Sequence, residues 1–177
     1  GALIVTAHFG NWELACAKIA EIGIPVSVVY RELGPPVLDR AMQGLRGIGS
    51  KRPDGSVVLD QIPMGRAGIP VARALNAGHQ VIVLLDQDAR REEGVVVSFF
   101  GRSASTRYGS ILLAMQRGVP VLPAFVSRDP DGRTHRIRIQ PVLQLEPGSS
   151  DDDEVLRRNV QLVTAVIEKE IRASPDQ

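Results

Sequence analysis

Hydrophobic residues along the chain follow two patterns. Short β-type runs stand at residues 3–7, 26–30 and 81–85, the last an unbroken aliphatic "VIVLL" bounded by Gly78 and Asp86. Between the runs, apolar residues recur at helical spacing. Asn11 can cap a helix reaching about residue 22, with Trp12, Cys16 and Ile19 on one face and Gly23 as its stop. A second helix is predicted over 37–46, beginning beside a proline pair and weakened at its end by Gly44, Gly47 and Gly49. A polar, turn-rich stretch at 50–55 precedes a short strand at 57–59, and a third helix spans 65–77 with Pro70 near its first turns.

The second half repeats the alternation. A charged loop, "DQDARREEG", leads into the β-like segment "VVVSFFGR", and a capped helix is predicted from about 106 to 117. "VPVLPAFVSRDPDGRTHRIRIQ" reads as two strands around a "DPDG" turn. In the closing helix, Leu156, Val160, Val163, Ile167 and Ile171 form one apolar face behind a cluster of acidic residues, as the helix dipole favours. Strands alternating with helices give an α/β fold: a mixed, mostly parallel sheet flanked by helices, with an antiparallel hairpin near one end. A strand that is apolar throughout is buried on both faces, which such a sheet provides.

At 177 residues the chain is long enough for one core, and residues 1–177 are read as a single domain. The net charge of +1 gives no bulk attraction to nucleic acid, so any anion site is local. Among the basic residues only Lys18, Lys51 and Lys169 are lysines. Arginine suits bidentate contact with phosphate or carboxylate, a bias that GC-rich coding also produces. Cys16 is the single cysteine, so no internal disulfide forms, and its place on the inner face of the first helix marks it as a core residue. The opening without methionine, just ahead of a strand, reads as a piece of a longer protein.

The first strand ends on His8, and Glu13 follows in the next helical turn, giving H-x4-E in "HFGNWE". A turn at Phe9-Gly10 can fold the carboxylate back to one imidazole nitrogen, fixing the tautomer and leaving the other nitrogen to take a proton from a hydroxyl. The alternative is a capping glutamate beside a chance histidine. A zinc site fits less well, because the spacing does not repeat the i, i+4 face of HExxH and no third ligand is evident. No GxGxxG or Walker-type loop follows any strand, which leaves a nucleotide-dependent enzyme without support.

"TAHFGNWELA" resembles the first block of the bacterial lipid A biosynthesis lauroyl/myristoyl acyltransferase family, relatives of the glycerolipid acyltransferases with H-x4-D/E motifs. The likeness continues in order through "VVYRELGPPVLDR", "ALNAGHQVIVLLDQD", "GVVVSFFGRSAST", "GVPVLPAFV" and "IEKEIRASPDQ", nearly the whole chain. The resemblance implies a glycerolipid acyltransferase-like fold. It implies transfer of a fatty acyl chain from an acyl carrier protein thioester, or acyl-CoA, to a hydroxyl of a lipid A precursor. In that reading His8 is the general base, Glu13 its orienting partner, and neither metal nor cofactor takes part. It further implies an N-terminal membrane anchor upstream of this stretch and a place on the cytoplasmic face of the bacterial inner membrane, with no nucleic-acid partner. The same chemistry on another glycolipid or aminolipid, such as a phosphatidylinositol mannoside, and a non-catalytic lipid-binding module are the other readings.

The remaining candidate residues take their roles from the block order. Arg31 looks like the family's phosphate-binding arginine; the alternative is a solvated surface arginine. Arg40 is a second phosphate candidate, or a helix-face arginine paired with a carboxylate. Asp86, Gln87 and Asp88 close the clearest strand, where Gln87 can bond a sugar hydroxyl and Asp86 can hold an arginine; ordinary strand-end turn chemistry is the alternative. Phe99 and Phe100 are candidates for an acyl-chain slot or for plain core, and Arg102 for an anionic head group. Pro120 and Pro123 would shape a pocket wall, while His79 and His135 are read as solvated.

Overall fold

The computed structural model describes residues 1–32, 34–47, 58–148 and 152–177. Its centre is a six-stranded sheet in the order β3-β2-β4-β1-β7-β8. The strands are β1 (Ala2–Thr6), β2 (Val26–Tyr30), β3 (Leu59–Pro63), β4 (Gln80–Leu84), β7 (Val121–Arg128) and β8 (His135–Ile139). All neighbours pair in parallel except β8, which runs antiparallel to β7 across the "DPDG" turn. The mixed, mostly parallel α/β sheet expected from the alternation is therefore the fold. The central strands read as near-continuous apolar runs because both faces are covered: every residue of β2 is buried. Ser27, the polar exception there, shares a 2.9 Å hydrogen bond with His79 Nδ1, so His79 is tied to the sheet rather than solvated.

Helices α1 (Trp12–Glu21) and α2 (Pro36–Gly47) follow β1 and β2. On the α1 face, Cys16 and Ala20 pack with Val26, Val28, Leu59 and Ile82. The opposite face carries the larger core, where α3 (Gly68–Asn76), α4 (Gly109–Arg117) and α5 (Asp153–Ala173) cover Leu3, Val5, Val81 and Val83. A single 3-10 turn, Met64–Arg66, leads into α3. The apolar stripe foreseen on the last helix is the one it buries: Val160 and Val163 are fully buried and Ile167 is 1% exposed. Asp152 caps α5 by accepting the Val155 N–H at 3.0 Å. None of the described helices is long and apolar enough to cross a membrane.

Two elements differ from the expectation. The β-like segment after "DQD" is a two-stranded hairpin, β5 (Gly94–Phe99) and β6 (Arg102–Arg107), outside the main sheet. Its second strand, "RSASTR", is polar and lacks an alternating pattern, so the period-2 signal misses it. Phe100 (φ 52°) and Gly101 (φ 74°) both take positive φ in its two-residue turn, as a primed hairpin turn requires. That strand occupies Thr106 and Arg107, which delays α4 to Gly109. β3 covers Leu59–Pro63 rather than 57–59; Val57 and the turn-rich stretch 50–55 lie outside the described residues.

Candidate active site

Parallel pairing sets the site. Thr6 of β1 stands opposite Leu84 of β4, and the Leu85 N–H donates to the Thr6 carbonyl at 3.1 Å. Two residues beyond each paired position stand His8 and Asp86, which therefore meet at the carboxyl edge of the sheet. That edge is where open α/β sheets place their ligands. His8 Nδ1 lies 2.9 Å from Asp86 Oδ1, and the His8 backbone N–H donates to Asp86 Oδ2 at 2.9 Å. A carboxylate only accepts, so Nδ1 carries the proton, and in the neutral ring Nε2 presents a lone pair. The Gln87 amide nitrogen lies 3.4 Å from Nε2. The His8 side chain is 43% exposed and that of Asp86 16%, so the imidazole reaches solvent while its partner is largely shielded.

The local sequence forces this orientation. Phe9 is buried edge-on against Phe125, which turns His8 outward. Gly10 takes φ 57°, and a Cβ there would lie 1.8 Å from the Val126 carbonyl oxygen, so only glycine fits. Asn11 then caps α1 by accepting the Leu14 N–H at 3.0 Å. The imidazole is further braced by Trp12, whose ring stands edge-on to it at 6.2 Å.

Glu13 lies in the first turn of α1, but its carboxylate is engaged elsewhere. Arg46 of α2 grips it in a two-point contact, Nε to Oε2 at 2.8 Å and Nη2 to Oε1 at 2.5 Å. That pairing raises the Arg46 pKa above its ordinary value. The guanidinium also lies over the rings of Trp12 (5.5 Å) and Tyr30 (5.3 Å). Glu13, Trp12, Arg46 and Tyr30 thus form one cluster that ties α2 to α1 and β2. Asp86, expected to hold an arginine, instead holds the histidine. Arg46 was not singled out in the sequence: it sits near a helix end obscured by glycines, 33 residues from its partner.

Cys16, next to Glu13 on the inner face, has its thiol pKa pushed up to about 12, chiefly by burial and secondly by the Glu13 charge. A thiol so held is a poor nucleophile.

Of the other candidates, Gln87 adjoins the His8–Asp86 pair, and Asp88 forms an isolated bridge with Thr106. Arg31 is exposed just past β2, on the same sheet edge. β4 separates β2 from β1, which places it about 10 Å from His8 by strand spacing. Arg40 is exposed on α2, its Nε donating to the Pro36 carbonyl at 3.3 Å. Phe99, Phe100 and Arg102 are not brought to this edge. They form the hairpin tip, about 14 Å along the strand from the Asp88–Thr106 bridge. There the Phe100 N–H donates to Glu168 at 2.8 Å and the Arg172 guanidinium stacks on the Phe100 ring. Pro123 pairs with Val5 in the sheet, and the Pro120 carbonyl accepts from the Leu3 N–H at the opposite edge.

An apolar space does exist, but Phe99 and Phe100 do not line it. A cavity of about 360 Å³ is walled by Val29, Met64, Val71, Val83, Leu85 and Leu113, with Arg66, Glu92, Glu93, Arg107 and Tyr108 also bordering it. Arg107 and Glu93 form an ion pair there. Leu85, in its wall, immediately precedes Asp86. Its lining comes from six separate elements, so no contiguous motif marks it.

The whole chain, residues 1–177, matches the family model described as "Bacterial lipid A biosynthesis acyltransferase". It is also similar to the phosphatidylinositol mannoside acyltransferase of Mycolicibacterium smegmatis (strain ATCC 700084 / mc(2)155). The two are 25% identical over 152 residues, covering 84% of this chain and 46% of that protein. The chain spans about half the length of this curated relative. With the family's motif blocks in order and its whole length matched, the chain belongs to the bacterial lipid A biosynthesis acyltransferase family.

Proposed function

We propose that the protein transfers a fatty acyl chain from an acyl carrier protein thioester to a hydroxyl of a lipid A precursor, with His8 as general base. The observation that carries this reading is the His8–Asp86 pair: Nδ1 is bonded to a largely shielded carboxylate, Nε2 is turned outward beside the Gln87 amide, and Asp86 directly follows Leu85 in the wall of an apolar cavity. The acceptor hydroxyl gives its proton to Nε2 while its oxygen attacks the thioester carbonyl. The tetrahedral oxyanion collapses, the C–S bond breaks, and the leaving thiolate takes the proton back from the imidazolium. Asp86 orients the ring and stabilises its cationic form, as the third member of a catalytic triad does. The Gln87 amide is placed to donate to the acceptor or the oxyanion. The deprotonation-resistant Cys16 supports direct transfer rather than an acyl-cysteine intermediate. In this reading Glu13 acts one step back, pairing with Arg46 to fix the start of α1.

The acyl chain is assigned to the 360 Å³ cavity, whose walls are aliphatic and whose size falls at the lower end of ordinary ligand pockets. Arg31 at the same edge is the candidate for an acceptor phosphate, worked from the cytoplasmic face of the inner membrane. One observation favours a second acceptor: the similar protein from M. smegmatis carries the name of a phosphatidylinositol mannoside acyltransferase. Incubating the protein with acyl carrier protein thioesters and either a lipid A precursor or a phosphatidylinositol mannoside, then weighing the products, separates the two. One added acyl group on the lipid A precursor is expected; acylation of the mannoside alone would replace the first acceptor by the second. No acylation of either would overturn the reading.

A further inference from the structure

The two helices beside the cavity carry an unusual charge distribution. No aspartate or glutamate occurs from residue 61 to 85 or from 94 to 128. The 3-10 turn, α3 and α4 therefore present no carboxylate, although they pack against each other on the protein surface. Their cations are Arg66, Arg73 and Arg117, all exposed. Elsewhere the chain neutralises many of its arginines: Arg46, Arg107, Arg136, Arg138, Arg157, Arg158 and Arg172 all form ion pairs. The three on this face form none with the described residues.

Their arrangement is a stripe that starts at the cavity. Arg66 borders the cavity itself. Arg73 follows seven residues on, about 10 Å away along the helix direction. Arg117, in the last turn of α4, donates from Nη1 to Asn76 Oδ1 at 3.2 Å, so its charge stands at the far end of α3. Ile69, 68% exposed, lies between Arg66 and Arg73. The acidic groups at the cavity are Glu93, already paired with Arg107, and Glu92.

We infer that the α3–α4 face docks an acidic carrier protein, which delivers its thioester-linked acyl chain into the adjoining cavity. The inference rests on the acyl-transfer reading and names the donor's binding surface. A stripe of arginines without acids recruits an anionic partner and excludes a basic one. A protein partner fits better than a lipid surface. A helix lying on a membrane presents a broad apolar face, whereas Val71, Ala74 and Leu75 of α3 are turned inward and buried, which leaves Ile69 as its one large exposed apolar side chain. A carrier seated here stands beside the cavity, within reach of a flexible thioester arm.

The test compares two donors of the same acyl chain, one on acyl carrier protein and one on free pantetheine. The proteins are wild type, Arg73→Glu/Arg117→Glu and Arg73→Lys/Arg117→Lys, each checked for native circular dichroism. The glutamate pair is expected to raise KM for the carrier-linked donor about tenfold or more, with the effect shrinking at high salt. It should leave kcat/KM for acyl-pantetheine unchanged, and the lysine pair should behave as wild type. An unchanged KM for the carrier-linked donor overturns the inference, as does an equal loss with both donors. So does loss of binding to phosphatidylglycerol vesicles with carrier kinetics unmoved, which would assign the face to anionic lipid. Direct binding of the carrier protein, measured by fluorescence polarisation, separates the two levels. Wild type that binds the carrier but transfers no acyl chain would remove the acyl-transfer reading while leaving the surface standing.

Discussion

Asp86 holds His8 at two points, one carboxylate oxygen 2.9 Å from the ring Nδ1 and the other 2.9 Å from the backbone nitrogen. The relationship follows from strand register: His8 and Asp86 lie two residues past a paired position on adjacent parallel strands. They are 78 positions apart in the chain, yet the geometry is as constrained as a local turn. Glu13, only five residues from His8, is instead drawn away by Arg46. Two carboxylates thus serve two tasks, one holding the imidazole and one bracing the helix that follows it.

The brace has a measurable stability. Arg46 and Glu13 are partly shielded, with side-chain exposures of 13% and 33%. Glu13→Gln removes the charge while keeping the shape, and leaves the guanidinium with a weaker partner. We expect a loss of about 1–2 kcal/mol, discounted for the exposed share of the pair. Thermal unfolding should fall by about 2–8 °C, with α1 and α2 affected first by hydrogen exchange.

Gly10 sets the direction of the histidine. In Gly10→Ala the new methyl would meet the Val126 carbonyl oxygen at 1.8 Å, in a backbone conformation that side chains rarely adopt. A destabilisation of roughly 3 kcal/mol or more is expected, read by urea unfolding. If the variant folds, acyl transfer should fall with it, because the turn that presents His8 has moved.

Much of this architecture was legible in the chain. The largely apolar runs at 3–7, 26–30 and 81–85 mark three parallel strands, because burial on both faces admits a polar residue only where it is bonded, as Ser27 is to His79. Asn11 and Gly23 mark the ends of α1 for local reasons, and the "DPDG" turn marks the β7–β8 hairpin. What was hidden depends on long-range contact. The polar strand 102–107 is shaped by its partner, not by its own pattern. His8 could be read as a base, but which carboxylate aims it depends on the pairing of β1 with β4. Phe99 and Phe100 could be read as an acyl slot or as plain core, yet the hairpin carries Phe100 to α5. The cavity draws on six elements and has no linear signature.

Cys16 gives the account a pH dependence. Its thiol pKa is raised from an ordinary 9.0 to about 12 in the folded protein. Below pH 9 the thiol is neutral in both states and contributes no slope. Between pH 9 and 12 it ionises in the unfolded chain only, so stability is lost as pH rises, at most about 1.4 kcal/mol per pH unit. Cys16→Ala lacks this contribution. Denaturation of both proteins from pH 8 to 11 should show wild type losing stability faster; parallel curves would exclude the buried-thiol effect.

The cavity sets chain length in this account. Leu113→Phe adds bulk to one wall without touching His8 or Asp86. The variant should shift product toward shorter acyl chains in competition assays with mixed thioesters, since one methylene in an apolar pocket discriminates by about tenfold or more. An unchanged product distribution would place the acyl chain elsewhere.

The most direct measurement is single-turnover acyl transfer by wild type, His8→Ala, Asp86→Asn and the double variant, with product followed by mass and folding checked by circular dichroism. Asparagine at 86 can donate to Nδ1, which favours the tautomer with the proton on Nε2 and blocks the base. Each single variant should lose roughly 10²–10⁴ in rate. The double variant should be little worse than the poorer single, because the two residues act as one unit. Wild-type turnover in a well-folded His8→Ala or Asp86→Asn protein would contradict the account.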